Sequence, residues 1–375
     1  MDGVGMTASN AHASSEPRGA HDFHALVGAA RAQIDERLGP WLRPRVAEAA
    51  LISEEVGIVA GAILELALRG GKRLRAALVA AGFEAAGPTA LPANEEPRWT
   101  VCVPAMIAVE LLQTYLLIHD DWMDDDDVRR GGPAVHVLLR EKLGARALGD
   151  AAAVLAGDLA SGYAQAALLE TAVPADRALR AARAFSRIQV EVVTGQLAEM
   201  QAAVRTGPLP SVETIHALKT ASYTVTGPLL LGAALAGGDD ARFAELERCG
   251  RPLGDAFQLR DDLLGVFGDP SATGKPIWND IRQGKRTALV SELRGDARAE
   301  ALLARAFGKP DAADADLAAV VRAMEDSGAR ARVEARVREL CNESRRVLDG
   351  MSATMSESGR AWLTGAIGAL GDRSS

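Results

Sequence analysis

The twenty residues from Trp99 to Ile118 form a near-continuous apolar run, broken by Glu110 and a few polar groups. They pass without a pause into His119-Asp-Asp-Trp-Met-Asp-Asp-Asp-Asp-Val-Arg-Arg-Gly-Gly132. A helix that is apolar nearly all round is predicted to be buried, yet the C-terminal end of this one carries six carboxylates. Acidic groups there are opposed by the helix dipole and by one another, so something positive must offset both. On a helix Asp120 and Asp124 project about 40° apart and Asp121 lies about 100° round. Two carboxylates one turn apart suit Mg2+, which takes one or two of them and completes its octahedron with water and phosphate oxygens. Arg129 and Arg130 follow at once, and guanidinium forks suit phosphate. Asp120, Asp121 and Asp124 with these arginines describe a clamp for a diphosphate, whereas Asp125, Asp126 and Asp127 read as a solvated run at the helix end.

A second acidic element lies 141 residues further on, in Ala256-Phe-Gln-Leu-Arg-Asp-Asp-Leu-Leu-Gly-Val-Phe-Gly-Asp269, where an apolar helix carries the pair Asp261-Asp262. Lys275, Asp280 and Lys285 follow it, in Gly274-Lys275-Pro276 and Gly284-Lys285-Arg286-Thr287. Two more basic sites stand on otherwise apolar helices: Gly70-Gly-Lys-Arg-Leu-Arg75 and Lys219-Thr220. Taken singly, each is an ordinary surface cation. Together, two acidic helix ends and several basic clusters in one chain point to a charged anion site.

The rest of the chain constrains the fold class. Ala, Leu, Arg and Glu dominate its 375 residues, aromatics are only 4%, and no strand-length alternation of β-branched residues occurs, which favours helix over sheet. Helical spacing of apolar residues is clear in Leu26, Ala29, Ala30, Ile34 and Leu38, and again in Val333, Val337, Leu340 and Val347. Breaks are predicted at residues 87–98, at Thr206-Gly-Pro-Leu-Pro210 with Ser211 as the following N-cap, and at Gly308-Lys-Pro-Asp311. The expectation is one all-α domain over residues 21–375, a large helical bundle of a dozen or so helices around a central cavity, after a small polar tail over residues 1–20 that is expected to be disordered. Forty-two basic against fifty acidic residues give a net charge of −8, which argues against nucleic-acid binding. Cys102, Cys249 and Cys341 are too few and too scattered for a disulfide framework or a zinc site, and fit a cytoplasmic setting. The uncharged stretch Thr220–Gly238 is 19 residues long, but its polar residues and Gly227-Pro228 predict a broken, buried helix and no membrane span.

In order and spacing these motifs resemble the trans-isoprenyl diphosphate synthases, the polyprenyl synthetase family. The family's first aspartate-rich motif is similar to His119-Asp120-Asp121-Trp-Met-Asp124 with Arg129-Arg130-Gly131, and its second to Phe257-Gln258-Leu-Arg-Asp261-Asp262. Gly71-Lys72-Arg73-Leu74-Arg75, Gly195-Gln196, Lys219-Thr220 and Gly274-Lys275-Pro276 match as well, and the likeness covers roughly residues 40–300. The resemblance implies a homodimeric Mg2+-dependent prenyltransferase with three Mg2+ per site. Asp120 and Asp124 would hold metal from one wall and Asp261 from the other. Arg129, Lys219, Thr220, Gln258, Lys275 and Lys285 would contact an allylic diphosphate; Lys72, Arg75, Gln113 and Arg130 would contact isopentenyl diphosphate. The implied reaction ionises the allylic C–O bond, lets the second substrate's double bond attack the cation, and loses a proton. It needs no protein nucleophile and no histidine base, so His119 and His136 read as scaffold.

Two positions depart from the family pattern. Gln113 stands where many members have His, and Gly265 where the third Asp of the second motif usually sits. Tyr115, five residues before Asp120, is the only bulky ring among apolar neighbours on the helix that leads to the acidic end. In the family such an aromatic limits the product, here to geranylgeranyl diphosphate, with farnesyl diphosphate as the alternative. A terpene cyclase or a non-catalytic subunit of a heteromeric synthase are the remaining readings. A cyclase has no use for Lys72, Arg75 and Arg130.

Overall fold

The computed structural model describes residues 18–87, 98–204, 210–268, 278–351 and 355–371. The expected tail over residues 1–20 lies outside the described residues as far as residue 17, and its last three residues open the first helix, α1 (Arg18–Ala50). Most of residues 87–98 and of Thr206–Pro210, where breaks were expected, also lies outside. The chain continues through α2 (Glu54–Leu68), α3 (Leu74–Ala86), a 3-10 turn (Arg98–Cys102) and α4 (Val103–Asp124). A two-residue antiparallel pair, β1 (Val128–Arg129) with β2 (Gly132–Pro133), follows, although no strand was expected. Then come α5 (Val135–Lys142), α6 (Arg146–Leu169), α7 (Ala175–Val204) and α8 (Val212–His216). A π-helix over Ala217–Thr226 leads into α9 (Gly227–Ala236), and α10 spans Asp240–Phe267. Shorter helices precede the C-terminal pair Ala329–Asp349 and Glu357–Gly371.

Local chemistry accounts for the element ends. The Ser53 hydroxyl accepts from Val56 N at 3.2 Å to cap α2, and Ser211 does the same for Thr214 N at 3.2 Å at the start of α8. The apolar run that opens at Trp99 becomes α-helix only at Val103, because Pro104 in the first turn has no N–H to donate and its ring suits that place. Its other end stops at Asp125, whose φ of 52° is left-handed and closes the helix.

The core follows the predicted helical stripes. Leu26, Ala30, Ile34 and Leu38 of α1 and Val333, Val337 and Leu340 near the end are buried, whereas Ala29 faces outward. Helix α4 sits at the centre and packs on α6, whose Ala152, Ala153, Ala156, Ala160, Ala164 and Ala167 form a small, buried face. Helices α3 and α9 approach so closely that a Cβ on Gly232 would lie 1.9 Å from the Val79 carbonyl oxygen, so only glycine fits there. Helix α4 and α6 are long and apolar enough to cross a bilayer, but 67% of the apolar window ending in α4 is packed inside the fold. The uncharged stretch Thr220–Gly238 is likewise interior, as the π-helix and α9.

Candidate active site

The last turn of α4 and the second half of α10 face each other across a cavity of about 530 Å3. Asp120 and Asp124 line it from α4 and Asp261 and Asp262 from α10, so the two acidic elements that lie far apart in sequence share one hollow. Asp121 does not line it. It is fully buried on the other side of the turn, where Arg129 Nε donates to Oδ1 at 2.7 Å and Arg129 Nη2 donates to the same oxygen. The expected trio of working carboxylates is thus a pair, with Asp121 fixing Arg129, because the 100° step of the helix turns position 121 inward. Of the solvated run, Asp125 and Asp127 are exposed, while Asp126 Oδ2 lies 3.5 Å from Arg129 Nη2.

Cations offset the acidic charge. Lys285 Nζ donates to Asp124 Oδ2 at 2.7 Å, and Lys219 Nζ lies 3.7 Å from Asp120 Oδ1 while also donating to Glu199. Burial works against both ammoniums, but Asp124, Asp120 and other acids hold the Lys285 pKa above its ordinary value, and Asp120 and Glu199 do the same for Lys219. Burial lifts the Asp124 carboxyl even with Lys285 on it, and the Asp120 charge adds to the lift. The π-helix supplies Lys219, Thr220 and Tyr223 to the wall; its wide turn is a feature that recurs at functional sites. It lies against α7 at Gly195, where a Cβ would meet Lys219 N at 2.3 Å. Thr220 Oγ1 donates to Gln258 Oε1 at 2.5 Å, and Gln258 Nε2 donates to Asp262 Oδ1 at 2.7 Å. Asp262 is pushed up to about 8, chiefly by burial, with the Asp280 and Asp261 charges adding to it. His216 beside it, 3.7 Å from Asp262 Oδ2, is pulled down to about 4 by burial.

A basic patch occupies another part of the cavity. Lys72, Arg75, Gln113 and Arg130 all line it. With its amide turned to suit its neighbours, the Gln113 oxygen accepts from Arg75 Nη1 at 3.0 Å and from Arg130 Nη2 at 3.3 Å, so it spaces the two guanidiniums. Arg75 is steadied further by Thr224 Oγ1 at 3.0 Å and by the Tyr223 ring, 4.3 Å from its guanidinium carbon. Burial, and the Arg73, Arg75 and Arg129 charges, lower the Arg130 pKa although Glu110 opposes them, the signature of a cation cluster that awaits an anion. Arg73 is different: it is buried in an ion pair with Glu110 at 2.7 Å and serves the fold.

Tyr115 does not reach the charged cavity. It lines a second, apolar one of about 320 Å3 between α4 and α7, with Leu116, Met123, Val192 and Leu197. Its ring meets His119 edge-on at 4.9 Å, and His119 Nε2 is 2.9 Å from the Val154 carbonyl oxygen, a scaffold contact. Asp120, Gln196, Met200, Lys219 and Tyr223 line both spaces, which therefore join at the acidic end of α4. Lys275 lies outside the described residues. The sequence reading left out Glu199, which no motif marked and which only the fold brings onto Lys219. It also gave no role to Asp280, although the run Asn279-Asp-Ile-Arg-Gln-Gly-Lys285 placed it five residues before a predicted site lysine.

The donor set was tested against a divalent cation. The facing carboxylates are hard oxygen ligands, and among the described residues no three acidic, imidazole or thiol groups converge as a complete cage. That fits Mg2+, which keeps water and phosphate ligands and needs few from protein. Asp262 Oδ2, buried on the same wall, has no hydrogen-bond partner.

Residues 58–324 match the polyprenyl synthetase family. The geranylfarnesyl diphosphate synthase of Aeropyrum pernix is 32% identical over 306 residues, 80% of this chain and 90% of that one. The (2E,6E)-farnesyl diphosphate synthase of Mycobacterium tuberculosis is 35% identical over 313 residues, 82% of this chain and 80% of that one. A geranylgeranyl pyrophosphate synthase from Corynebacterium glutamicum, solved with isoprenyl diphosphate and magnesium, matches with a TM-score of 0.83 at 30% identity, covering 94% of this chain and 99% of that one. An all-helical fold around a charged cavity, with these matches, defines an isoprenoid synthase in the structural sense. The chain belongs to the polyprenyl synthetase family and is a short-chain trans-prenyltransferase.

Proposed function

We propose that this enzyme joins isopentenyl diphosphate to an allylic diphosphate and stops at geranylgeranyl diphosphate. The observation that carries the reading is the meeting of three surfaces in one connected space: opposed carboxylates, a separate basic patch and an apolar pocket. Asp120, Asp124 and Asp261 hold Mg2+, three ions per site. Bound there, the metal neutralises the charge that develops on departing pyrophosphate, as a Lewis acid does. Arg129, Lys219, Thr220, Gln258, Lys275 and Lys285 bind the allylic diphosphate, and the two lysines keep their charge against burial, so they remain cationic where negative charge grows. Lys72, Arg75, Gln113 and Arg130 seat isopentenyl diphosphate, with its double bond directed at the allylic carbon. The apolar pocket takes the prenyl tail and keeps water from the allylic cation. After carbon–carbon bond formation a proton passes to an oxygen of the released pyrophosphate.

Tyr115 forms the floor of the tail pocket and sets product length. Farnesyl diphosphate is the alternative product, as the 35% identity to a farnesyl synthase allows. The domain spans residues 21–375 and works as a homodimer in the cytoplasm. Supporting the dimer, Val190, Val193, Leu197 and Met200 recur at helical spacing along α7 with 44–63% exposure, and three of them also wall the tail pocket. The three cysteines are buried and free, which suits a reducing compartment. Purified enzyme incubated with Mg2+, labelled isopentenyl diphosphate and each allylic primer in turn, with products sized by chromatography, tests the reading. A C20 product is expected. A cyclic hydrocarbon formed without isopentenyl diphosphate, or no turnover with any primer, would overturn it.

A further inference from the structure

Position 265 lies one turn beyond Asp261 on α10, on the same side of the helix, and is Gly. A Cβ built there would lie 3.2 Å from Asp280 Oδ2, so the carboxylate of Asp280 stands where a side chain at 265 would leave the helix. Asp280 lines the charged cavity together with Asp261 and Asp262. It reaches that place on a pinned segment. Trp278 N donates to the Gly265 carbonyl at 3.0 Å, Trp278 Nε1 donates to the Val266 carbonyl at 3.1 Å, and Lys285 N donates to the Asp280 carbonyl at 2.9 Å. Trp278 adopts a left-handed φ of 67°, a conformation a bulky residue holds only when its surroundings enforce it. The Asp280 carboxylate makes no hydrogen bond or salt bridge with the described residues, and Asp262 Oδ2, in a residue only 4% exposed, has no hydrogen-bond partner on the same wall. Two adjacent oxygens thus face the cavity without a protein donor.

We propose that Asp280 supplies the carboxylate that position 265 lacks, so that Asp261 from α10 and Asp280 from the neighbouring turn together form the second metal-holding wall. The inference rests on the reading of the cavity as a Mg2+–diphosphate site. It explains why the gap at 265 is tolerated: an aspartate at both positions would press two like charges together at contact distance. The acid is moved to another element and is not lost.

The test titrates Mg2+ calorimetrically into the full chain in the presence of inorganic pyrophosphate, with thermal melts in metal-free buffer alongside. Wild type, Asp280→Asn and the double variant Gly265→Asp/Asp280→Asn are compared. Asp280→Asn is isosteric and breaks no hydrogen bond among the described residues, so its metal-free melt should match wild type. Its Mg2+ affinity should fall about tenfold, the size of effect seen when a supporting ligand is removed. The double variant should regain most of that loss, because the carboxylate returns on the other element. Unchanged affinity in Asp280→Asn, or a double variant as weak as the single one, would overturn the proposal and leave the site reading intact. A wild type that shows no Mg2+-dependent binding of pyrophosphate would overturn both.

Discussion

Replacing Tyr115 by Ala opens the tail pocket at its aromatic end and should lengthen the product. A further isoprene unit adds five carbons, worth about 4 kcal/mol if fully buried at roughly 0.8 kcal/mol each. The pocket is not fully closed: Val193, Leu197 and Met200 on its α7 side are 48%, 56% and 44% exposed. Half the full value, about 2 kcal/mol, is therefore the fair expectation, and it corresponds to a shift of about 30-fold in the ratio of extended to wild-type product. The loss of a half-buried ring should lower stability by about 1–3 kcal/mol, within what a folded domain tolerates.

The assay is a product-length profile with labelled isopentenyl diphosphate and farnesyl diphosphate as primer, run on wild type, Tyr115→Ala and Tyr115→Phe. The Phe variant keeps the ring and loses only the hydroxyl, so it should retain the wild-type product. Products beyond C20 should dominate for the Ala variant. If Tyr115→Ala turns over at a measurable rate and its product length does not change, the ring is core filler and the floor lies elsewhere.

Asp120→Ala should lower kcat by about a thousandfold or more, the scale of a lost electrostatic contact at a reacting centre. Its metal-free melting temperature should not fall, since repulsion with Asp124 is relieved and Lys219 keeps Glu199; near-wild-type turnover would refute the clamp. Gln113→Leu removes the acceptor that spaces Arg75 and Arg130, and should raise KM for isopentenyl diphosphate about tenfold with little change for the allylic primer; equal effects on both substrates would refute the assignment of that patch. Asp255, away from the charged cavity, has its pKa raised to about 6 by burial, and its Oδ1 has no hydrogen-bond partner. Its folded value lies above the unfolded one, so wild-type stability should decline as pH rises from about 4 through 6, by on the order of 2 kcal/mol. Asp255→Asn should remove that decline and melt higher than wild type at pH 8 but not at pH 4; parallel melting curves across the range would count against it.

Most of the fold was legible because its elements obey helical period and capping chemistry. Ser211 capped where expected, and the stripe through Leu26, Ile34 and Leu38 faced the core. The acidic and basic residues named from sequence also met in one cavity, Lys275 aside. What could not be read depends on tertiary placement. Periodicity cannot show that Ala217–Thr226 winds as a π-helix, because the extra residue per turn leaves no mark on a sequence pattern. Nor does it show Glu199 meeting Lys219, or Asp280 meeting the gap at Gly265, since each pair joins two elements through packing.

Asp121 shows how neighbours with the same side chain are sorted by burial alone. One step of the helix takes it from the cavity to the interior, where a lone carboxylate would carry a large desolvation penalty. Arg129, eight residues later and carried back by the β1–β2 hairpin, meets that charge with two donors on one oxygen. The pair therefore does not compete for a metal, yet it fixes a guanidinium beside Asp120 and Asp124, where a phosphate would arrive. The acidic run at the end of α4 thus divides its labour by angle. Position 121 holds the cation that binds phosphate, and positions 120 and 124 keep their oxygens toward the cavity under the charges of Lys219 and Lys285. A divalent ion that takes up those oxygens competes with the two ammoniums for them, and the lysines it displaces keep their charge in the same cavity as the incoming diphosphate.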